Sequence, residues 1–374
     1  MSSPLQRATN DTRHLDGLRI VAAAAVVILH YCEYAKSHPA AKAVFDHVQH
    51  FNLFVDLFFV ISGFVIAKQY LDKVGNSRGI ARFLWRRVAR IYPLHLLTLA
   101  FYLAIAMALQ LGIAHGDNPA RYPLSDIPAQ LLMLHAVIGE RLTFNFPSWS
   151  LSAEMICYLL FPLLAAAAAT RRVLAPLIAV LALCANSAVS LTTDAGPWTD
   201  WINHGGAFRA LPSFALGVSL CLFRTEIARP MAAAPFTLLT LVFIVAGGFL
   251  PSSLGLVFVY AIAILGARAD LTEQSTAFAR MRFERWSDLT YPVYMLHIPI
   301  ATLVLSILGR YVSPFVADAR LVLIPLAIVV LIVLSHLSLR YFETPIRRAL
   351  TDLYDQRHGS GISLRATAPG GGPR

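Results

Sequence analysis

Arg19 and His30 stand eleven positions apart in the apolar stretch LDGLRIVAAAAVVILHYCEY. On an α-helix eleven residues turn through about 1,100 degrees, about 20 degrees past three full circles, and rise about 16.5 Å. One helical face therefore carries a guanidinium at one depth and an imidazole at another, with the small residues Ala22, Ala23 and Ala25 between them. An ionisable group at the centre of a bilayer costs at least about 2.5 to 3.5 kcal/mol, so each one needs a partner or a task. Neutral imidazole near pH 7 can take a proton from a hydroxyl. The competing readings are a snorkelling anchor for Arg19 and a hydrogen-bonded packing role for His30.

Further polar residues interrupt the apolar runs that follow. In FVDLFFVISGF, Asp56 comes to about the depth of His30 once the chain reverses direction, and a carboxylate there would orient the imidazole and leave its other nitrogen free as a base. The alternatives for Asp56 are a structural ion pair or a cap, and Ser62 with Gly63 mark a tight helix contact. In RFLWRRVARIYPLHLL, Arg82, Arg86 and Arg90 recur every fourth residue with Arg87 alongside, and Pro93 is expected at the start of the next span. Such guanidinium forks suit phosphates, although anchoring of the span or anionic lipid headgroups would also use them. FPSWSLSAEMICYLLFP brings Trp149, Ser152 and Glu154, the last expected level with His30 and Asp56, and Arg209 in FRALPSFALG reaches the same level as a partner for either carboxylate. His297, His336 and Glu343 read as packing or anchoring residues.

The elements that must position these groups are membrane helices. Of the 374 residues, 57% are hydrophobic and only 14% charged, where a soluble domain carries about a quarter charged residues. The expected fold is all-α and polytopic, with about ten transmembrane helices at 17–34, 51–70, 91–113, 149–170, 173–191, 207–223, 231–250, 252–267, 289–308 and 321–340. Of the 31 Lys and Arg, only Lys36, Lys42, Arg121, Arg141, Arg209, Arg310 and Arg320 fall on one side, so the positive-inside rule puts both termini in the cytoplasm. That asymmetry also accounts for the formal charge of +10 without nucleic acid. The expected division is a cytoplasmic tail over 1–14, a membrane domain over 15–350, and a cytoplasmic, disordered tail over 351–374, with no cleavable signal peptide and no appended soluble domain. The four cysteines lack metal-type spacing and read as packing residues, so no metal is expected.

Taken in order, LDGLRIVAAAAVVILHY, DLFFVISGFVIA, RRVARIYPLHLL, WSLSAEMICYLLFP, LTYPVYMLHIPI and YFETPIRR resemble the integral-membrane acyltransferase family 3, over about residues 15–348. The resemblance implies an enzyme of the bacterial cytoplasmic membrane that moves an acyl group, usually acetyl, from acyl-CoA to a hydroxyl of a glycan or similar acceptor. It implies the stand-alone form, without an SGNH-type domain. It also implies that Arg19 and His30 are required for activity and that Asp56, Glu154, Arg86, Arg87 and Arg90 are functional. On that basis the nucleotide end of acyl-CoA is expected at Arg86, Arg87, Arg90 and Arg19, and the thioester at His30, oriented by Asp56. Glu154, Trp149, Ser152 and Arg209 are expected around the acceptor. Direct transfer and an acyl-histidine intermediate both remain open. A transporter or flippase is the rival class, because it too would keep ionisable groups in its spans.

Overall fold

Lipid offers the backbone no hydrogen bonds, so an apolar chain must satisfy its amides within helices. The computed structural model describes residues 12–113, 119–228 and 234–358, and among them every regular element is helical. In chain order these are α1 (Arg13–Tyr34), the short α2 (Pro39–His47), α3 (Phe54–Tyr70), α4 (Ser77–Gln110), α5 (Trp149–Thr170) and α6 (Leu174–Thr192). Then come α7 (Gly206–Leu222), α8 (Ala234–Ala246), α9 (Ser252–Leu271), α10 (Thr290–Ile300), α11 (Ile324–Leu337) and α12 (Thr344–His358). α10 continues through wider turns to Leu308, and similar turns over Ser338–Glu343 join α11 to α12. The end at which α1 begins is called basal here, and the opposite end distal.

Eight helical stretches among the described residues are long and apolar enough to cross a membrane. The sixth and seventh expected spans are present as the shorter apolar helices Gly206–Leu222 and Pro235–Phe249, and the eighth is a full 20-residue helix, Ser252–Leu271. The outward faces of α6, α8 and α11 expose Val180, Leu181, Leu241, Val245, Val329 and Ile332. An apolar belt of this kind belongs against lipid rather than water.

Two expectations change. Pro93 lies inside α4 instead of starting a span, so the arginine-bearing segment and the third span form one 34-residue rod. At 1.5 Å per residue that rod is about 51 Å long, well beyond about 30 Å of hydrocarbon. A proline removes one backbone donor, and the packed rod tolerates that loss. Residues 351–358, expected in the tail, are the last turns of α12, where Tyr354 stacks on Trp85 and the Trp85 indole N–H donates to the Leu350 carbonyl at 2.8 Å. The rest of that expected tail, and residues 1–11 of the other, lie outside the described residues.

Two devices set the helices that matter for the site. A carboxylate at a helix start satisfies amides that have no partner within the helix. Asp270, at the basal end of α9, accepts the His14 and Leu15 backbone N–H groups at 2.8 and 3.1 Å and meets the His14 ring at 2.8 Å. This fixes the start of α1, and with it Arg19. In the middle of the bundle Gly63 of α3 and Gly217 of α7 let two backbones touch: a methyl group on Gly63 would collide with the Phe214 carbonyl, and one on Gly217 with that of Val60. Small residues at a membrane helix crossing have this use.

Replacing Gly217 by valine is expected to lower the thermal unfolding midpoint of the detergent-solubilised protein, at an overpacking cost of about 1 to 3 kcal/mol or more. Gly75→Ala, where the added methyl meets nothing, is the control and is expected to leave the midpoint within error.

Candidate functional site

A basal cavity of about 100 Å³ opens between α1, α3, α4, α5 and α10. Arg19, Arg87 and Arg90 line it, and among the described residues Glu154 is the one carboxylate in its lining. Glu154 accepts a hydrogen bond from the Ser62 hydroxyl and another from Tyr158 Oη at 2.6 Å. Arg87 donates to Tyr70 Oη at 3.2 Å and lies over the Tyr70 and Tyr158 rings, 5.2 and 5.9 Å from their centroids. Arg90 lies 6.0 Å from the centre of the Tyr291 ring, with Arg347 of α12 near enough to repel its charge. Guanidiniums held on aromatic faces keep their charge while losing water. The cavity thus presents three guanidiniums, of which Arg19 also lies 3.5 Å from Asp16, against one carboxylate among its described lining residues, a surface suited to a polyanion.

The arginine row divides. Each step of four residues drifts by about 40 degrees around a helix, so the row winds from one neighbour to another. Arg82 and Arg86 face α12, at 2.9 and 3.6 Å from Asp355, and neither lines the cavity. The expected donor set of Arg19, Arg86, Arg87 and Arg90 is therefore brought together without Arg86.

His30 stands in a row of rings at the distal side of this cavity. Its ring centre is 5.1 Å from that of Phe146 and 5.3 Å from that of His297. His30 Nδ1 is 3.5 Å from Glu33 Oε2 and makes no hydrogen bond. His297 was missed as a site residue in the sequence, where one histidine in an apolar helix reads as packing. Its ring is fully buried, Nδ1 lies 2.6 Å from the Tyr294 carbonyl, and Nε2 has no partner. A carbonyl can only accept, so Nδ1 carries the hydrogen and Nε2 holds a free lone pair. Tyr294, which lines the basal cavity, is 5.7 Å from His297, and its hydroxyl meets Ser150 Oγ at 2.8 Å. Beyond Phe146 lies a distal chamber of about 1420 Å³, whose walls include Glu33, Phe146 and Tyr122. Among the described residues His30 lines neither space; it belongs to the wall between them.

Asp56 is not beside His30. Its fully buried carboxylate faces α7, where Arg209 Nη2 donates at 2.7 Å and Nε at 3.2 Å, with Ser213 Oγ at 3.4 Å. Arg209 also donates to the Asn52 carbonyl at 3.2 Å and lies 5.3 Å from the Trp149 ring centre. Helical rotation explains the difference: Asp56 and Gly63 are seven residues apart, within about 20 degrees of one another, so the stripe that touches α7 carries both. Depth alone allows either His30 or Arg209, and rotation decides for Arg209.

The residues expected around an acceptor are likewise occupied by protein. Trp149 packs against Gly206 and Phe59 beneath Arg209. Ser152 donates to the Met133 carbonyl at 2.6 Å and accepts from the Ala136 N–H at 3.0 Å, tying down the connection from α4 to α5. Glu154, expected level with His30, opens instead on the basal cavity with the arginines. His336 is on the surface, and Glu343 accepts from Ser338 at 2.8 Å.

Comparison with known proteins bears on this geometry. A family model described as an acyltransferase domain matches residues 13–339. Acyltransferase MdmB of Streptomyces mycarofaciens is 34% identical over 154 residues, 40% of this chain and 38% of that protein. Protein 2 in the picA locus of Rhizobium radiobacter is 38% identical over 96 residues, 25% of this chain and 46% of that protein. The matched segments thus span less than half the length of either relative. No solved structure matches.

Asp56→Asn and Arg209→Met are each expected to destabilise the solubilised protein by about 3 to 5 kcal/mol, because each leaves a buried charge or its partner alone. The double substitution Asp56→Leu with Arg209→Met is expected to recover much of that loss. Thermal unfolding of the three variants checks this; an Asp56→Asn protein of unchanged stability would overturn the structural assignment.

Proposed function

The chain belongs to the acyltransferase-domain family, and from that premise we propose that it transfers an acyl group, acetyl by default, from a CoA thioester to a hydroxyl of a glycan or related acceptor. The observation that carries this reading is the placement of His30 in the wall between an arginine-lined cavity and a larger chamber. In this reading the basal end faces the cytoplasm of a bacterial cell, as the charge pattern predicts. The phosphates of acyl-CoA lie against Arg19, Arg87 and Arg90, and its slender arm runs along α1. The arm has about 16.5 Å to cover between Arg19 and His30.

The acceptor hydroxyl approaches from the distal chamber. His30 takes its proton as the oxygen attacks the thioester carbonyl, the carbon–sulfur bond breaks, and the departing thiolate receives the proton back from the imidazolium. Base assistance of this kind contributes about 10² to 10⁴ in rate. His297, with a bare Nε2 beside His30, is the nearest ring able to accept a hydrogen bond from it. Asp56 holds α3 against α7 and acts on the chemistry through that packing alone. Glu154, hydrogen-bonded by Ser62 and Tyr158, offsets part of the charge of Arg87 and Arg90, while Asp16 lies 3.5 Å from Arg19.

His30→Ala is expected to abolish acyl transfer from radiolabelled acetyl-CoA while leaving membrane insertion and thermal stability intact; a fully active variant would refute the assignment. For the donor end the expectation is a split within one helix. Arg87→Ala and Arg90→Ala should each weaken acetyl-CoA binding roughly tenfold or more, as loss of a charge-assisted contact does, whereas Arg86→Ala should leave it nearly unchanged. Equal effects at all three positions would count against the arginine division described above.

A further inference from the structure

The distal end of the molecule is poor in cations, and those it has are gathered. Seven Lys and Arg fall on that side by the charge map, and five of them, Lys36, Arg121, Arg141, Arg310 and Arg320, line the one large chamber. They come from separate parts of the chain: the end of α1, two points in the connection from α4 to α5, the end of α10, and the approach to α11. The other two are spoken for, Lys42 by Asp46 and Arg209 by Asp56. Among the described residues that line the chamber Glu33 is the single carboxylate, 3.7 Å from Lys36. Arg141 and Arg320 have no carboxylate partner among the described residues.

Folding alone gives no reason to gather cations such as Arg121, Arg141 and Arg320 on one wall, since each repels the rest. A ligand of opposite charge does. Guanidiniums match carboxylate and phosphate oxygens in pairs, and a recessed wall of one sign draws in the opposite charge. The chamber also offers a flat surface. Tyr122 stacks on the buried Tyr102 at 5.6 Å and 19 degrees, and Arg121 lies 4.7 Å from the centre of the Phe146 ring, the ring that touches His30. An anionic group drawn to Arg121 is thereby brought to the far side of Phe146 from the histidine.

We propose that the distal chamber selects an anionic acceptor, a sugar bearing carboxylate or phosphate, and that Arg121, Arg141 and Arg320 hold its charge while a neighbouring hydroxyl is presented to His30. This rests on the acyl-transfer reading above for what happens to the hydroxyl; the selection of charge does not depend on it.

The test reads binding without the donor. Full-length protein in nanodiscs of zwitterionic lipid is titrated with a glucuronic acid oligosaccharide, with its carboxyl-reduced neutral counterpart, and with glucose 6-phosphate. The expected result is saturable binding of an acidic sugar that falls with salt, at least tenfold tighter than the neutral counterpart, and weakened roughly fivefold to tenfold in the double variant Arg141→Gln with Arg320→Gln. Equal affinity for the acidic and neutral oligosaccharides, or a double variant that binds as the wild type does, overturns the proposal. So does an effect of the variant confined to enrichment of phosphatidylglycerol from mixed nanodiscs, which would make the chamber a lipid headgroup site. Acidic-sugar binding that survives in a protein unable to transfer acetyl supports the chamber and removes the enzyme reading. Transfer to a neutral sugar with no preference for charge does the reverse.

Discussion

Asp56 and Arg209 are each almost wholly removed from solvent, and in an apolar bundle neither can stay charged without the other. Their pairing fixes more than two side chains. It sets the rotation of α3 against α7, and the glycine crossing at Gly63 and Gly217 sets how closely the two rods approach. Once α3 cannot turn, Ser62 must face a different neighbour, about 100 degrees round the helix from Gly63, where it donates to Glu154 of α5. Tyr158 closes on the same carboxylate, and Arg87 lies over Tyr158. The arginine cavity is thus assembled outward from an ion pair that does not touch it.

The two spaces flanking His30 share a chemical character and differ in scale. Each has more cations than carboxylates in its lining, but the basal cavity is tight and walled by tyrosines, whereas the distal chamber is more than ten times larger. A narrow, rigid site suits a group held in one orientation, since little ordering remains to be done on binding. A wide one suits a bulkier molecule of which only a small part reacts.

Much of this architecture was legible from residue types and spacing. The apolar runs located the helices, and eleven-residue spacing singled out Arg19 and His30 as a pair. Rotation about each axis was less accessible. Depth brings Asp56 level with both His30 and Arg209, and its seven-residue spacing from Gly63 ties it to whatever helix the glycine touches. Arg86 looks equivalent to Arg90 because a fourfold repeat conceals its drift, and only the position of Asp355 on α12 separates them. Pro93 was given its usual meaning, a boundary, where the packed helix continues through it. His297 carried no local signal; its unpartnered nitrogen exists only in the context of Tyr294 and His30.

The row formed by Tyr294, His297, His30 and Phe146 has an electrical consequence. A continuous water column between two cation-lined spaces would act as a leak, discharging the potential that a membrane maintains. Aromatic and imidazole rings set 5.1 to 5.7 Å apart, centre to centre, leave little room for such a column. They form an insulating stack four rings deep between the two spaces. Hydrated ions stay on their own sides of such a stack, so the rings that separate the two spaces also keep the bilayer sealed.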